Sequence, residues 1–232
     1  MKKSLSVWLA FMTSTFAFAL AVPAKSLDWQ DPEVFRINKE PARSFFYSYD
    51  NAQAAFSKTP WDQANHILLN GQWKFNWVDS VKKKPNDFYQ TNFDDSQWGH
   101  IAVPANWEVN GYGTPFYHSH QCFKANVKPP EMPVHYNPVG SYRKTFTLPD
   151  DWNKKQVFVH FGAVKSAFYL WVNGQKVGYS QDSKTAAEFD ISTYLQPGEN
   201  QLALQVYRYS DGSYFECQDM WRVSGIERDV YL

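Results

Sequence analysis

Charge of one sign is missing from this sequence. Lys and Arg total 23, Asp and Glu total 23, and the formal net charge is zero. With no basic run and no acidic tail, nothing in the chain is built to track nucleic acid or a charged membrane surface. Cysteine is nearly absent as well: Cys122 and Cys217 are the only two, too few for a disulfide scaffold or a Cys-rich metal fold. No Gly-x-Ser-x-Gly elbow, phosphate loop, Cys-x-x-Cys pair or dinucleotide fingerprint occurs, so the usual signatures of serine hydrolases, NTPases, thiol oxidoreductases and Rossmann enzymes are lacking. There are no internal repeats, no low-complexity tract and no long amphipathic helical period. The one extended apolar run, Leu5 to Leu20, is interrupted by Thr13-Ser14-Thr15 and is too short to span a bilayer.

That run follows Met1-Lys2-Lys3 and leads to small residues at Ala19-Leu20-Ala21 and Val22-Pro23-Ala24. Positive charge, apolar core and small-x-small in that order predict a bacterial-type signal peptide over 1–24 and an exported, periplasmic or secreted product. The remaining residues suffice for one β-sandwich with its own core.

What is abundant is aromatic: ten Trp, fourteen Tyr and eighteen Phe, 18% of the chain. Rings favour strands and also stack on sugars, although most must serve the core. Residues 25–65 show no sustained period and read as an extended arm, with one or two helical turns near Asn51–Phe56. From 66 to 232 the period is two. Trp73, Phe75 and Trp77 share one face, and Val157, Val159 and Phe161 another. Leu202, Leu204 and Val206 alternate with Gln201, Ala203 and Gln205. Asn173-Gly174 predicts a type I′ hairpin turn. About eight short strands with turns every 8–15 residues predict an all-β, antiparallel sandwich. Two segments, 105–138 and 210–225, are longer than hairpin loops need to be, which makes them candidates for binding.

Glycoside cleavage needs two carboxylates flanking one bond. Asp94-Asp95 and Asp150-Asp151 read as solvated turn acids. The trio Glu216, Asp219 and Glu227 is the better candidate set, beside Trp221 and Arg222. For Glu227 and Asp229, structural ion pairs with Arg222 and Arg228 are the plainer expectation. His118-x-His120-x-Cys122, with His135 nearby, lacks a second tight pair and does not make a zinc site.

Several motifs then converge. Asp28-Trp29-x-Asp31-Pro32, Leu69-Asn70-Gly71-x-Trp73-x-Phe75, Val103-Pro104-x-Asn106-Trp107, Gly111-Tyr112-x-x-Pro115-x-Tyr117, Trp171-x-Asn173-Gly174-x-x-Val177-Gly178-Tyr179 and above all Gln218-Asp219-Met220-Trp221-Arg222-x-Ser224-Gly225 resemble the N-terminal part of bacterial β-galactosidases of glycoside hydrolase family 2. The resemblance covers everything after the leader. It implies a jelly-roll sugar-binding domain, followed in the whole enzyme by an immunoglobulin-like domain and a TIM barrel. That barrel carries the glutamate acid/base and the glutamate nucleophile of a retaining hydrolysis of terminal β-D-galactosides such as lactose. Both catalytic glutamates are then expected outside these 232 residues, and this chain alone is expected to be inactive.

On the same resemblance Asp219 contacts a galactosyl hydroxyl and ligates a sodium ion shared with the barrel. A carboxylate suits both tasks. Magnesium is expected in the whole enzyme but not on these residues. The family places an amide-bearing Asn two residues after the tyrosine of Pro-x-Tyr. Here His118 and Ser119 follow Tyr117, so one of them takes that substrate contact. Cys122 and Cys217 fall in the two loops that reach the sugar in the family. The resemblance thus brings them within reach of a disulfide, the alternative being two small buried apolar residues. Expected partners are a β-galactoside, the remaining domains of the enzyme and a second copy of the chain, the Asp28–Phe56 arm resembling a stretch that builds the family's tetramer. A free-standing carbohydrate-binding module and a purely structural β domain are the competing readings.

Overall fold

The computed structural model describes residues 27–232 apart from 45, 50, 63, 64, 120–122, 124, 125, 134, 153 and 217. The signal peptide expected over 1–24, and the Cys122–Cys217 bridge, lie outside the described residues.

An antiparallel β-sandwich results, as the two-residue period requires. Its large sheet has seven strands in the spatial order Arg36–Ile37, Gln175–Ser180, Ala167–Val172, Glu199–Tyr207, Val139–Thr147, Gly71–Val78 and Gly99–Val103. Every pairing within it is antiparallel. The opposing layer is built from shorter pieces. Ala187–Asp190, Phe158–Phe161 and Val230–Tyr231 form one three-stranded sheet, and Ala105–Asn106, Gly225–Ile226 and Val164–Lys165 form another. Alternation puts Trp73, Phe75, Tyr142, Phe168, Leu170, Leu204 and Val206 on the inner face, where they meet Phe161, Phe189, Ile226 and Val230. Each is essentially inaccessible, and each buried side chain of this size contributes about 1.5–3 kcal/mol. Asn173 and Gly174 have φ of 48° and 81°, the positive pair that a type I′ turn demands. The Asn173 amide also donates to Asn200 Oδ1 at 2.7 Å, tying the hairpin to its neighbouring strand.

Where alternation predicts a wet second face, the structure covers it. Ala203 and Gln205 are 1% and 3% exposed. The segment after Val78 folds back across them, laying Phe88 edge-on against Trp171 at 5.4 Å. Arg143, on the same face, is held by the carbonyls of Phe93 (2.8 Å) and Gln90 (3.0 Å) and by Asp95 (2.9 Å). Asp95 is therefore an ion-pair partner of a buried arginine and not the solvated turn acid that its sequence context indicates. Further along this face Trp29 stacks on Tyr207 at 5.4 Å.

The N-terminal arm joins this scheme as an edge. Arg36 and Ile37 pair with Ser180 and Tyr179, and a Cβ at Gly178 would lie 2.3 Å from the Ile37 carbonyl oxygen. Asn51 caps the helix Ala52–Ser57, its Oδ1 accepting from the Ala54 amide at 2.9 Å. Arg43 grips Glu188 in a fork, with distances of 2.9 and 2.6 Å. No helix among the described residues is long and apolar enough to cross a membrane.

Glu188 also meets His160 Nδ1 at 2.9 Å. Burial alone would push its carboxyl up, but the His160 and Arg43 donors outweigh burial and hold it below the ordinary value. A carboxyl depressed on folding stabilises the fold above its unfolded value, and that contribution is lost as pH falls through the folded one. Urea denaturation in a pH series should therefore show stability declining below about 4.5. The decline should be shallower in Glu188→Gln; identical slopes would remove Glu188 from the linkage.

Candidate functional site

The two long loops leave the sandwich side by side, and their bases are locked before their tips are reached. Trp107, fully buried, donates its backbone N–H to Ser224 O at 3.0 Å. Its ring lies over Gly140, where a Cβ would approach it to 2.6 Å. Next in sequence, Glu108 turns inward to Arg208 at 3.1 Å, with both side chains almost wholly inaccessible. Its other oxygen accepts from the Ser224 amide at 2.7 Å. Burial pushes the Glu108 carboxyl up, the Arg208 charge and the Ser224 amide pull it back, and the balance stays upward.

Arg208 does more than neutralise Glu108. One terminal nitrogen donates to the carbonyls of Thr114 (3.1 Å) and Arg222 (3.0 Å), one from each loop. Rings of Phe116, Tyr136 and Tyr209 surround the guanidinium at 5.4–5.8 Å, a favourable setting for a desolvated cation. Arg222, 3% exposed, repeats the device nearer the tip. It donates to the carbonyls of Gln218 (2.7 Å), Met220 (3.0 Å) and His118 (2.8 Å). Behind this frame a void of about 10 Å³, lined in part by Lys165, Glu216 and Arg222, has room for about one water.

So braced, the loops zip into a two-stranded ribbon, Phe116–His118 against Met220–Arg222, with Trp221 opposite Tyr117. Directly opposed residues share a face, and here that face is open: Tyr117 is 51% and Trp221 59% exposed. Their rings meet edge to face at 6.0 Å. The Tyr117 hydroxyl donates to Asp219 Oδ1, and this bond is the first cause that pushes the phenol up and keeps it protonated. Asp219 is exposed, and its second oxygen has no hydrogen-bond partner among the described residues. Extending the register past Met220–His118 sets Asp219 across from Ser119, also exposed, with His118 half-buried beside it.

The carboxylate trio is separated by these contacts. Glu216 accepts from the Ser183 amide at 2.8 Å and its hydroxyl at 2.5 Å. Glu227 pairs with Lys184 and accepts from Asn106 at 2.9 Å. Asp229 accepts from Asn70 at 2.7 Å. The pairing of Glu227 and Asp229 with Arg222 and Arg228 is thus not formed: Arg222 serves backbone carbonyls, and Arg228 donates to the Lys184 carbonyl at 3.1 Å. Only Asp219 faces outward. His120 and Cys122 of the His-x-His-x-Cys run lie outside the described residues, and among the described residues no three His, Cys, Asp or Glu side chains gather around a metal.

Glu108 and Arg208 carry no sequence signal. They lie one hundred positions apart, and neither stands out by spacing. Tyr117 and Trp221 were visible as motif members, though not as each other's neighbours.

An exposed carboxylate bonded to Tyr117, beside the open ring of Trp221, is an arrangement suited to a sugar on a β-sandwich domain. Residues 67–232 match the glycosyl hydrolases family 2, sugar binding domain, and the chain belongs to that family. A beta-galactosidase from Priestia megaterium is 40% identical over 220 residues, which cover 93% of this chain and 21% of that protein. One from Psychromonas ingrahamii is 45% identical over 216 residues, 90% of this chain and 20% of that protein. The chain thus spans about a fifth of the length of the relatives it matches. Among solved structures, a Bacteroides uniformis beta-glucuronidase superposes with a TM-score of 0.55 at 26% identity, over 72% of this chain and 17% of that one.

Removing the Glu108 charge leaves Arg208 buried without a counter-ion, a change that typically costs about 3–5 kcal/mol. Glu108→Gln should lose stability on that scale in urea denaturation. Adding Arg208→Met should recover part of the loss. A neutral single variant would show that the pair does not brace the loops.

Proposed function

We propose that this chain is the sugar-binding part of an exported β-galactosidase, and that Asp219 meets the galactosyl unit. The observation that carries the reading is the sorting of acids at the loops: Glu216 and Glu227 are tied inward, while Asp219 is exposed and held at one oxygen by the Tyr117 hydroxyl. Tyr117 occupies one Asp219 oxygen and orients the carboxylate, leaving the other for a sugar hydroxyl or a sodium ion. With no second carboxylate facing the tip among the described residues, the remaining sodium ligands and both catalytic glutamates are assigned to the rest of the enzyme. Magnesium is assigned there too. His118 and Ser119 flank the same edge, and Ser119 is the better placed for a substrate hydroxyl because it lies across from Asp219.

Galactosides are favoured over glucuronides as substrates. The β-galactosidases match at 40–45% identity along nearly the whole chain, and the β-glucuronidase structure at 26%. The signal-like run over 1–24 supports an enzyme in the periplasm or outside the cell, and the arm, already a sheet edge, is the element through which copies would associate.

The 232-residue chain should not hydrolyse nitrophenyl β-galactoside, since bond cleavage needs two positioned carboxylates. Turnover by the purified chain that is abolished by changing one of its own acids would overturn the assignment.

In the full-length enzyme, Asp219→Asn should raise KM and blunt sodium activation together. Loss of a charged hydrogen-bond partner typically costs about 1.5–3 kcal/mol, or roughly ten- to a hundredfold in affinity. KM and sodium dependence both unchanged would exclude Asp219 from the site.

A further inference from the structure

On the outer face of the large sheet, away from the Asp219 tip, a cleft of about 360 Å³ is lined by Lys84, Asn86, Asp87, Tyr89, Trp171 and Gln205. Its size is that of small-molecule sites, about 300–1,000 Å³. The groups that line it are built in and only partly committed. Gln205 is 3% exposed, and its Oε1 accepts the Tyr207 hydroxyl at 2.8 Å. With Oε1 on the Tyr207 hydroxyl, the Gln205 NH₂ is the end that remains. Among the described residues that NH₂ has no acceptor. The cleft opens onto that NH₂, which is therefore available to a ligand.

Lys84 is the second such group. It is half-buried, and among the described residues its ammonium makes no hydrogen bond and no ion pair. Asp87, beside it, accepts from the Tyr89 hydroxyl at 3.2 Å and keeps acceptor capacity to spare. The wall is flat and apolar: Tyr89 lies on Trp171 at 5.1 Å with 6° between the ring planes. Donors and an acceptor together call for a ligand that both accepts and donates, as hydroxyls do. A bare anion would face Asp87 and make no use of the rings. A sugar ring, with its apolar C–H face and a rim of hydroxyls, satisfies the wall and the polar groups at once.

We propose that this cleft is a second saccharide site, seating one pyranose unit against Tyr89 with its hydroxyls between Lys84, Asp87 and Gln205. The assignment is independent of the β-galactoside reading, because none of these residues belongs to the tip. Such a site would hold a second unit of a longer glycan, or a neighbouring chain, while the tip engages another.

The test is an NMR titration of the 232-residue chain with the methyl β-glycosides of galactose, glucose and glucuronic acid, following the Trp171 indole and Gln205 carboxamide signals. At least one sugar should give saturable, millimolar shifts at both. Tyr89→Ala and Lys84→Met should each weaken them about tenfold, and Asp219→Asn should leave them unchanged. Both altered residues are part-exposed, and Met keeps the lysine stem, so a folded Lys84→Met decides the matter if Tyr89→Ala does not fold. No saturable shift at either signal with any of the three sugars would overturn the proposal. So would shifts indifferent to both cleft variants, or shifts abolished by Asp219→Asn.

Discussion

Everything at the tip of this domain depends on one buried ion pair. Glu108 and Arg208 lie a hundred positions apart, and their contact braces the bases of two loops that also pair as short antiparallel strands, at Ala105–Asn106 with Gly225–Ile226 and at Phe116–His118 with Met220–Arg222. Two desolvated charges are not a cheap source of stability. Here the cost is offset by the peptide groups that Arg208 collects, by the Ser224 amide on Glu108 and by the rings around the guanidinium. What the pair contributes is position: with the bases fixed, Arg222 can order the short ribbon, and the ribbon can present Tyr117, Trp221 and Asp219 on one side.

The sandwich itself was readable because its causes are local. Alternation in Gly71–Val78 and Glu199–Tyr207, and the turn at Asn173-Gly174, follow from the two-residue period and from positive φ, and both leave marks in neighbouring residues. The cover on the outer face was not readable. Gln205 looks like a solvent position until the segment carrying Phe88 folds across it, a contact between residues more than a hundred positions apart. The same limit explains Asp95, whose partner Arg143 lies two strands away, and Glu227, which finds Lys184 instead of the arginines near it in sequence.

At the site, Asp219 was marked by resemblance, through the run Gln218-Asp219-Met220-Trp221-Arg222. Which of three acids would remain free was not local. That was decided by Ser183 and Asn106, each contributed by another part of the fold. Packing ties Glu216 and Glu227 inward and leaves Asp219 exposed.

Arg208 and Arg222 grip carbonyl oxygens, and every amino acid has one. The backbone of the ribbon is therefore anchored in part by atoms that mutation cannot remove, and the Tyr117–Asp219 bond and the Tyr117–Trp221 contact add to that anchoring. Such a tip can be rewritten without being rebuilt. A change of side chain along the ribbon leaves those carbonyls in place, whereas a change at either arginine releases them.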